Sequence, residues 1–121
     1  MSKGKGNSFE QKIMMRLRKE FPNMDTYRNP GSGNSYRDRG DVNFYDYLIE
    51  CKHYKKLGDA ELNHFWDDAV EEAKDMEKKP MLIYKENYVP IKVMFKVDDK
   101  HRVIMYFDEW IAYIREELKD E

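Results

Sequence analysis

Apolar residues recur every fourth position at Phe9, Ile13, Leu17 and Phe21, with Met14 beside them and Lys12, Arg16 and Lys19 on other faces. That spacing predicts an amphipathic helix capped at Asn7 or Ser8 and stopped by Pro22, preceded by a flexible basic arm over 1–7. The pattern then breaks at Asn29-Pro30-Gly31-Ser32-Gly33-Asn34-Ser35, a concentration of turn formers that predicts an exposed loop; before it, Thr26 to Arg28 leaves room for a short strand. Two strand-like segments follow, Asp41 to Phe44 and Tyr47 to Tyr54, joined tightly through Tyr45-Asp46. Gly58-Asp59 opens a second helix, in which Leu62, Phe65, Trp66, Ala69, Val70 and Ala73 form a wide apolar stripe opposite an acidic face. Met81 to Lys85, Ile91 to Val97 and Arg102 to Phe107 read as strands, the last two joined by Asp98-Asp99-Lys100. A final helix, capped near Asp108, carries Trp110, Ile111, Ile114 and Leu118 at helical spacing. The order predicts an α/β fold: a mixed sheet of about five strands flanked by helices, in a single domain over 1–121.

Length supports that count of domains, because 121 residues suit one modest core. The longest apolar runs, such as Met81-Leu82-Ile83-Tyr84, fall far short of the roughly 20 residues that cross a bilayer. The basic start has no apolar segment after it, unlike a secretory signal, so a cytoplasmic setting is expected, that of the host if the source is viral. The single cysteine, Cys51, excludes an intrachain disulfide and a multi-cysteine zinc site. Net charge is −2, yet residues 1–56 hold 12 Lys and Arg against 7 Asp and Glu, whereas residues 57–121 hold 10 against 17. A basic first half suits a polyanion; mutual attraction between the halves, within the fold or between subunits, fits equally.

The hairpin is where the chemistry concentrates. If it is symmetric about Tyr45-Asp46, then Phe44 faces Tyr47, Val42 faces Ile49, and Asp41 faces Glu50, with Lys52 on the same face as Glu50. Opposed carboxylates cost stability unless a positive charge lies between them, and a divalent ion bound by hard oxygen ligands, magnesium or manganese, would supply it. Such a site supports phosphodiester hydrolysis, with the lysine ammonium orienting water or stabilising developing charge. The other reading is structural: Asp41 caps a strand while Glu50 and Lys52 form an ion pair on a solvated face. Glu10, one turn before Ile13 and Met14, either points to the same cluster or is a first-turn glutamate favoured by the helix dipole. His53, His64 and His101 show no metal-ligand spacing, and Cys51 reads as a small buried hydrophobe.

Lys5-Gly6-Asn7-Ser8-Phe9-Glu10, Tyr27-Arg28-Asn29-Pro30-Gly31-Ser32-Gly33, Gly40-Asp41 and Glu50-Cys51-Lys52, in this order, resemble the successive motifs of the archaeal-type Holliday junction resolvases. These belong to the PD-(D/E)XK nuclease superfamily. The resemblance is strongest over residues 3–56; Gly40 stands where the usual motif has proline, and the step from Asp41 to Glu50 is shorter than usual. It implies a restriction-endonuclease-like fold and a magnesium- or manganese-dependent endonuclease that cuts four-way DNA junctions symmetrically as a homodimer. It further implies that Glu10, Asp41 and Glu50 bind the metal with the Cys51 carbonyl as a further ligand, that Lys52 is the catalytic lysine, and that Ser32 organises the substrate phosphate. Lys5 and Arg28 match basic positions expected to touch DNA, and Lys3, Arg37, Arg39, Lys55 and Lys56 join them as expected phosphate contacts. The alternatives are a nuclease of the same superfamily acting on flap, single-stranded or duplex DNA, and a non-catalytic nucleic-acid-binding module.

Overall fold

Phe9, Ile13, Met14 and Leu17 are all buried, as their spacing requires of one helical face. They lie on α1 (Ser2–Glu20), the first element of a computed structural model that describes residues 2–28 and 41–119, with side chains from residue 8 onward. The helix starts at Ser2, not at Asn7 or Ser8, and so takes in the segment expected as an arm. Once packed turns exist, each added residue gains a hydrogen bond for one residue fixed, and helix extends into weak helix formers. Lys3 and Lys5 therefore sit on its first turns, while their side chains lie outside the described residues, as do Ser32, Arg37, Arg39 and the whole loop expected over 29–35.

After α1 come β1 (Thr26–Arg28), β2 (Val42–Phe44), β3 (Tyr47–Tyr54), α2 (Asp59–Asp75), β4 (Lys79–Glu86), β5 (Lys92–Lys96), β6 (Arg102–Tyr106) and α3 (Phe107–Lys119). The six strands form one sheet in chain order, every neighbouring pair antiparallel except β3 and β4. The sheet has one strand more than expected: Thr26–Arg28 pairs along the whole of β2, which would otherwise be an unpaired edge. The single parallel step needs a crossover, and α2 provides it. Glu61 accepts from the Gly58 N–H at 3.1 Å at the start of α2, so the chain turns into the helix where the glycine predicted it. The α3 helix starts at Phe107, directly after β6, with the Glu109 carboxylate accepting from the Tyr106 N–H.

The sheet separates two cores. Residues 47, 49 and 51 of β3 join Met81, Ile83, Val93 and Phe95 under α1 and α3. On the other face Leu82, Tyr84 and Met94 pack with Trp66 of α2 and with Leu57. Within the first core Trp110 is fully buried, against Phe44, Tyr47 and Phe107 at ring-centroid distances of 6.0, 6.2 and 6.2 Å. Its indole nitrogen has no hydrogen-bond partner there, so the residue acts through volume and not through its N–H. Trp110→Ala is expected to cost about 3–5 kcal/mol in urea unfolding. Trp110→Phe is expected to cost distinctly less, because it fills most of the space and deletes an unpaired donor; equal losses would contradict this.

Candidate active site

The hairpin of β2 and β3 has the register that symmetry about Tyr45-Asp46 predicts, with Phe44 opposite Tyr47 and Val42 opposite Ile49. Tyr45 adopts φ 54, a left-handed conformation suited to a two-residue turn between twisted strands. At Asp41 the simple alternation stops. Its N–H donates to the Ile49 carbonyl at 2.8 Å although Ile49 is the partner of Val42, so two residues of one strand oppose one of the other. This is the arrangement of a β-bulge, which re-aims a side chain at the end of a ladder. Asp41 consequently does not lie squarely opposite Glu50: its carboxylate turns to the sheet edge and accepts from the Cys51 N–H at 2.7 Å.

Among the described residues no strand covers that edge, because β2 begins only at Val42 while β3 runs on to Tyr54 beside β4. Alternation along β3 sends Cys51 to the α1 side and Glu50 and Lys52 to the α2 side. Asp41, at the edge between the faces, meets groups from both. From α1 comes Glu10, buried despite its charge. Burial, then the Asp41 charge, raise its pKa, and a hydrogen bond shared with Asp41 acts in the same direction; Arg28 opposes them by donating to Glu10 Oε1 at 3.0 Å. From the α2 side comes Glu50, whose pKa is pushed up to about 9 by burial first, then by the Asp41 charge and by Glu72, with Lys52 opposing. Lys52 Nζ stands 3.9 Å from Glu50 Oε2 and 4.7 Å from the centre of the Phe65 ring.

The remaining expected positions divide. Cys51 is buried, and its thiol is pushed well up by burial and by the surrounding carboxylates, so the packing reading holds for its side chain while its backbone faces Asp41. Arg28 spends its guanidinium on Glu10 and on Gln11 Oε1 at 3.1 Å. Lys55 and Lys56 are exposed just beyond the end of β3. His53 stacks at a tilt against Phe9 with Nε2 3.2 Å from Asn87 Oδ1, while His64 and His101 lie beside Asp68 and Asp98 on the surface. Sequence reading missed Glu72. It shares a hydrogen bond with Glu50, and its signal was present: it stands three residues after Ala69 and seven after Phe65, on the stripe that faces the sheet.

Taken together, Glu10, Asp41, Glu50 and Glu72 form a chain of interacting carboxylates that runs round the sheet edge, with Arg28 and Lys52 as partial counter-charges. Among the described residues, no three His, Cys, Asp or Glu side chains converge as a ready-made metal site. The donor set still suits a hard divalent cation in kind, since it consists of oxygen ligands whose pKa values are raised by burial first and by the neighbouring Asp41 charge second.

The sequence matches, over residues 1–120, the family described as "Phage putative PDDEXK endonuclease", and the chain belongs to that family. No curated protein matches it. Among solved structures it is similar to the Archaeoglobus fulgidus Hjc, described as a Holliday junction resolvase from an archaeal hyperthermophile. Identity is 18%, the TM-score is 0.53, and the match covers 84% of this chain and 86% of that one. The likeness establishes the expected restriction-endonuclease-like fold.

Glu50 also makes a sign-definite prediction. Its folded-state pKa lies above the unfolded value, so the native state binds more protons than the unfolded chain between about pH 4.5 and 9. Stability of the protein in chelator is therefore expected to fall as pH rises through that window, and Glu50→Gln is expected to flatten the slope. Unfolding free energies from urea titrations at several pH values measure both; an unchanged slope in Glu50→Gln would refute the assignment.

Proposed function

We propose that this chain is a divalent-metal-dependent DNA endonuclease that resolves four-way (Holliday) junctions by paired, symmetric phosphodiester hydrolysis, acting as a homodimer in the host cytoplasm. The observation that carries the reading is Asp41: at an open sheet edge it interacts with Glu10 from one face and Glu50 from the other, with Lys52 beside Glu50. Membership of an endonuclease family supports hydrolysis of DNA, and the junction preference rests on the motif resemblance and on the fold shared with a resolvase. No described helix is long and apolar enough to cross a membrane.

In this reading Glu10, Asp41 and Glu50, together with the Cys51 carbonyl, hold magnesium or manganese. The Cys51 carbonyl projects to the same side of β3 as its N–H, which already meets Asp41. A bound ion supplies Lewis-acid polarisation of the phosphate and neutralises charge in the transition state. Glu50 surrenders its proton to become a ligand, so loading of the site is favoured as pH rises.

Lys52 projects three ammonium donors from the face it shares with Glu50, where it orients the attacking water or a phosphate oxygen. Ser32 organises the substrate phosphate. Lys3, Lys5, Arg28, Arg37, Arg39, Lys55 and Lys56 contact the DNA backbone, Arg28 exchanging Glu10 for a phosphate once the carboxylates are neutralised. Contacts of this type recognise the path of the strands and carry no base readout, so affinity falls steeply as salt rises.

The test is cleavage of end-labelled four-way junction, flap, duplex and single-stranded DNA with and without magnesium. Paired nicks at symmetric positions of the junction, dependent on magnesium, are expected. Asp41→Asn is expected to lower the rate about a thousandfold or more, and Lys52→Ala by about 10²–10⁴, with junction binding retained in both. Cutting of the linear substrates at an equal rate would remove the junction preference and keep the nuclease; folded protein inactive with every divalent metal would leave a binding module.

A further inference from the structure

Among the described residues, no strand pairs with the far edge of the sheet from the carboxylates. β6 is the last strand, and its register with β5 fixes which backbone groups are used: the Val97 N–H bonds the His101 carbonyl at 3.0 Å, and the Phe107 N–H bonds the Ile91 carbonyl at 2.9 Å. Antiparallel alternation then turns the odd-numbered residues of β6 to β5 and leaves the N–H and C=O of Arg102, Ile104 and Tyr106 facing outward. Arg102-Val103-Ile104-Met105-Tyr106 has no proline, no lysine and no inward charge, and its edge is guarded by the exposed Arg102 and by Glu109 at the Tyr106 N–H. Of its outer positions, Ile104 and Tyr106 are 51% and 48% exposed, and Arg102 is an exposed cation.

We propose that β6 is a homodimerisation edge, where a second copy of this chain pairs antiparallel about a two-fold axis through Ile104. The sequence is self-complementary about that point. Ile104 faces Ile104, and Arg102 of each copy faces Tyr106 of the other, so two apolar side chains meet on the axis and a guanidinium lies over a phenol ring at either end. Register and hydrogen bonding agree: Ile104 turns both its N–H and its C=O outward, as the residue on such an axis must. The Met94–Ile104 pairing puts these outer side chains on the α2 face, where the Arg102 guanidinium already lies 5.9 Å from the Trp66 ring centre.

Glu109 holds the outward Tyr106 N–H at 3.1 Å, and this exposed carboxylate is the group that swings aside to admit the second strand. Because β6 lies three strands from β3, pairing there leaves the carboxylate edge open. The inference supplies a surface for the dimer of the proposed function but does not depend on catalysis, and its test reads mass and cross-linking.

Light scattering on the eluting protein at micromolar concentration is expected to give twice the 14.7 kDa chain mass. Ile104→Lys, which sets like charges face to face on the axis, is expected to run at the monomer mass with an unchanged circular dichroism spectrum. Ile104→Cys is expected to form a disulfide-linked dimer under mild oxidation, since paired residues on such an axis have Cα atoms about 5.5 Å apart and Cys51 is buried. A wild-type chain that stays monomeric up to millimolar concentration, a dimer that survives Ile104→Lys, or an Ile104→Cys dimer that does not cross-link through the introduced thiols would each overturn the proposal.

Discussion

The bond from the Cys51 N–H to the Asp41 carboxylate is the contact on which the geometry of the site depends. A backbone donor in a sheet must find an acceptor, and β2, which begins at Val42 opposite Ile49, offers no carbonyl to Cys51. The bulge at Asp41 lets a side chain take that place. One carboxylate thereby closes the hydrogen bonding of β3 and is fixed at the edge between the two faces. Glu10 reaches it because α1 packs on one face through Phe9 and Ile13, and Glu50 is coupled to it from the other.

Electrostatics explains why this edge differs from the rest of the surface. Burial and mutual repulsion raise the pKa of Glu10 and Glu50 together, and the two cations nearby only partly offset this: Arg28 is shared between Glu10 and Gln11, and Lys52 stands 3.9 Å from Glu50. Other ion pairs lie at the surface. Arg16 bridges to Asp108 and Arg115 to Glu20, tying α1 to α3. These two bridges run in opposite senses between the basic and acidic halves of the chain.

Much of this was legible in the sequence, and the parts that were not have identifiable causes. The α1 stripe and the hairpin register were readable because both are local: a period of four residues, and a two-residue turn that fixes the pairing of its flanks. The α2 crossover followed from the order of elements. The sixth strand was harder, since three residues, Thr26–Arg28, carry almost no periodic signal and are strand only because Val42–Phe44 pairs with them. The true start of α1 was hidden by two glycines. The bulge was invisible, because the extra residue changes where Asp41 points without changing the alternation of β3. Glu72 was passed over as one more acid on an acidic helix, although its spacing from Phe65 and Ala69 turned it inward.

The misplaced direction of Asp41 is the instructive case. A strict ladder would have set Asp41 against Glu50 on the α2 face and left Glu10 isolated across the sheet behind Cys51. The bulge costs one regular pairing and in exchange makes a single carboxylate accessible from both faces, which an alternating strand cannot do with any residue type. Three acids on three elements, α1, the end of β2 and β3, are thus joined through the one that belongs to neither face. Local departure from the ideal pattern at a cluster that disfavours its own charge is what a fold shows at functional or strained sites. The rest of the sheet, from β4 to β6, keeps its register without interruption and supplies the rigidity against which that departure is held.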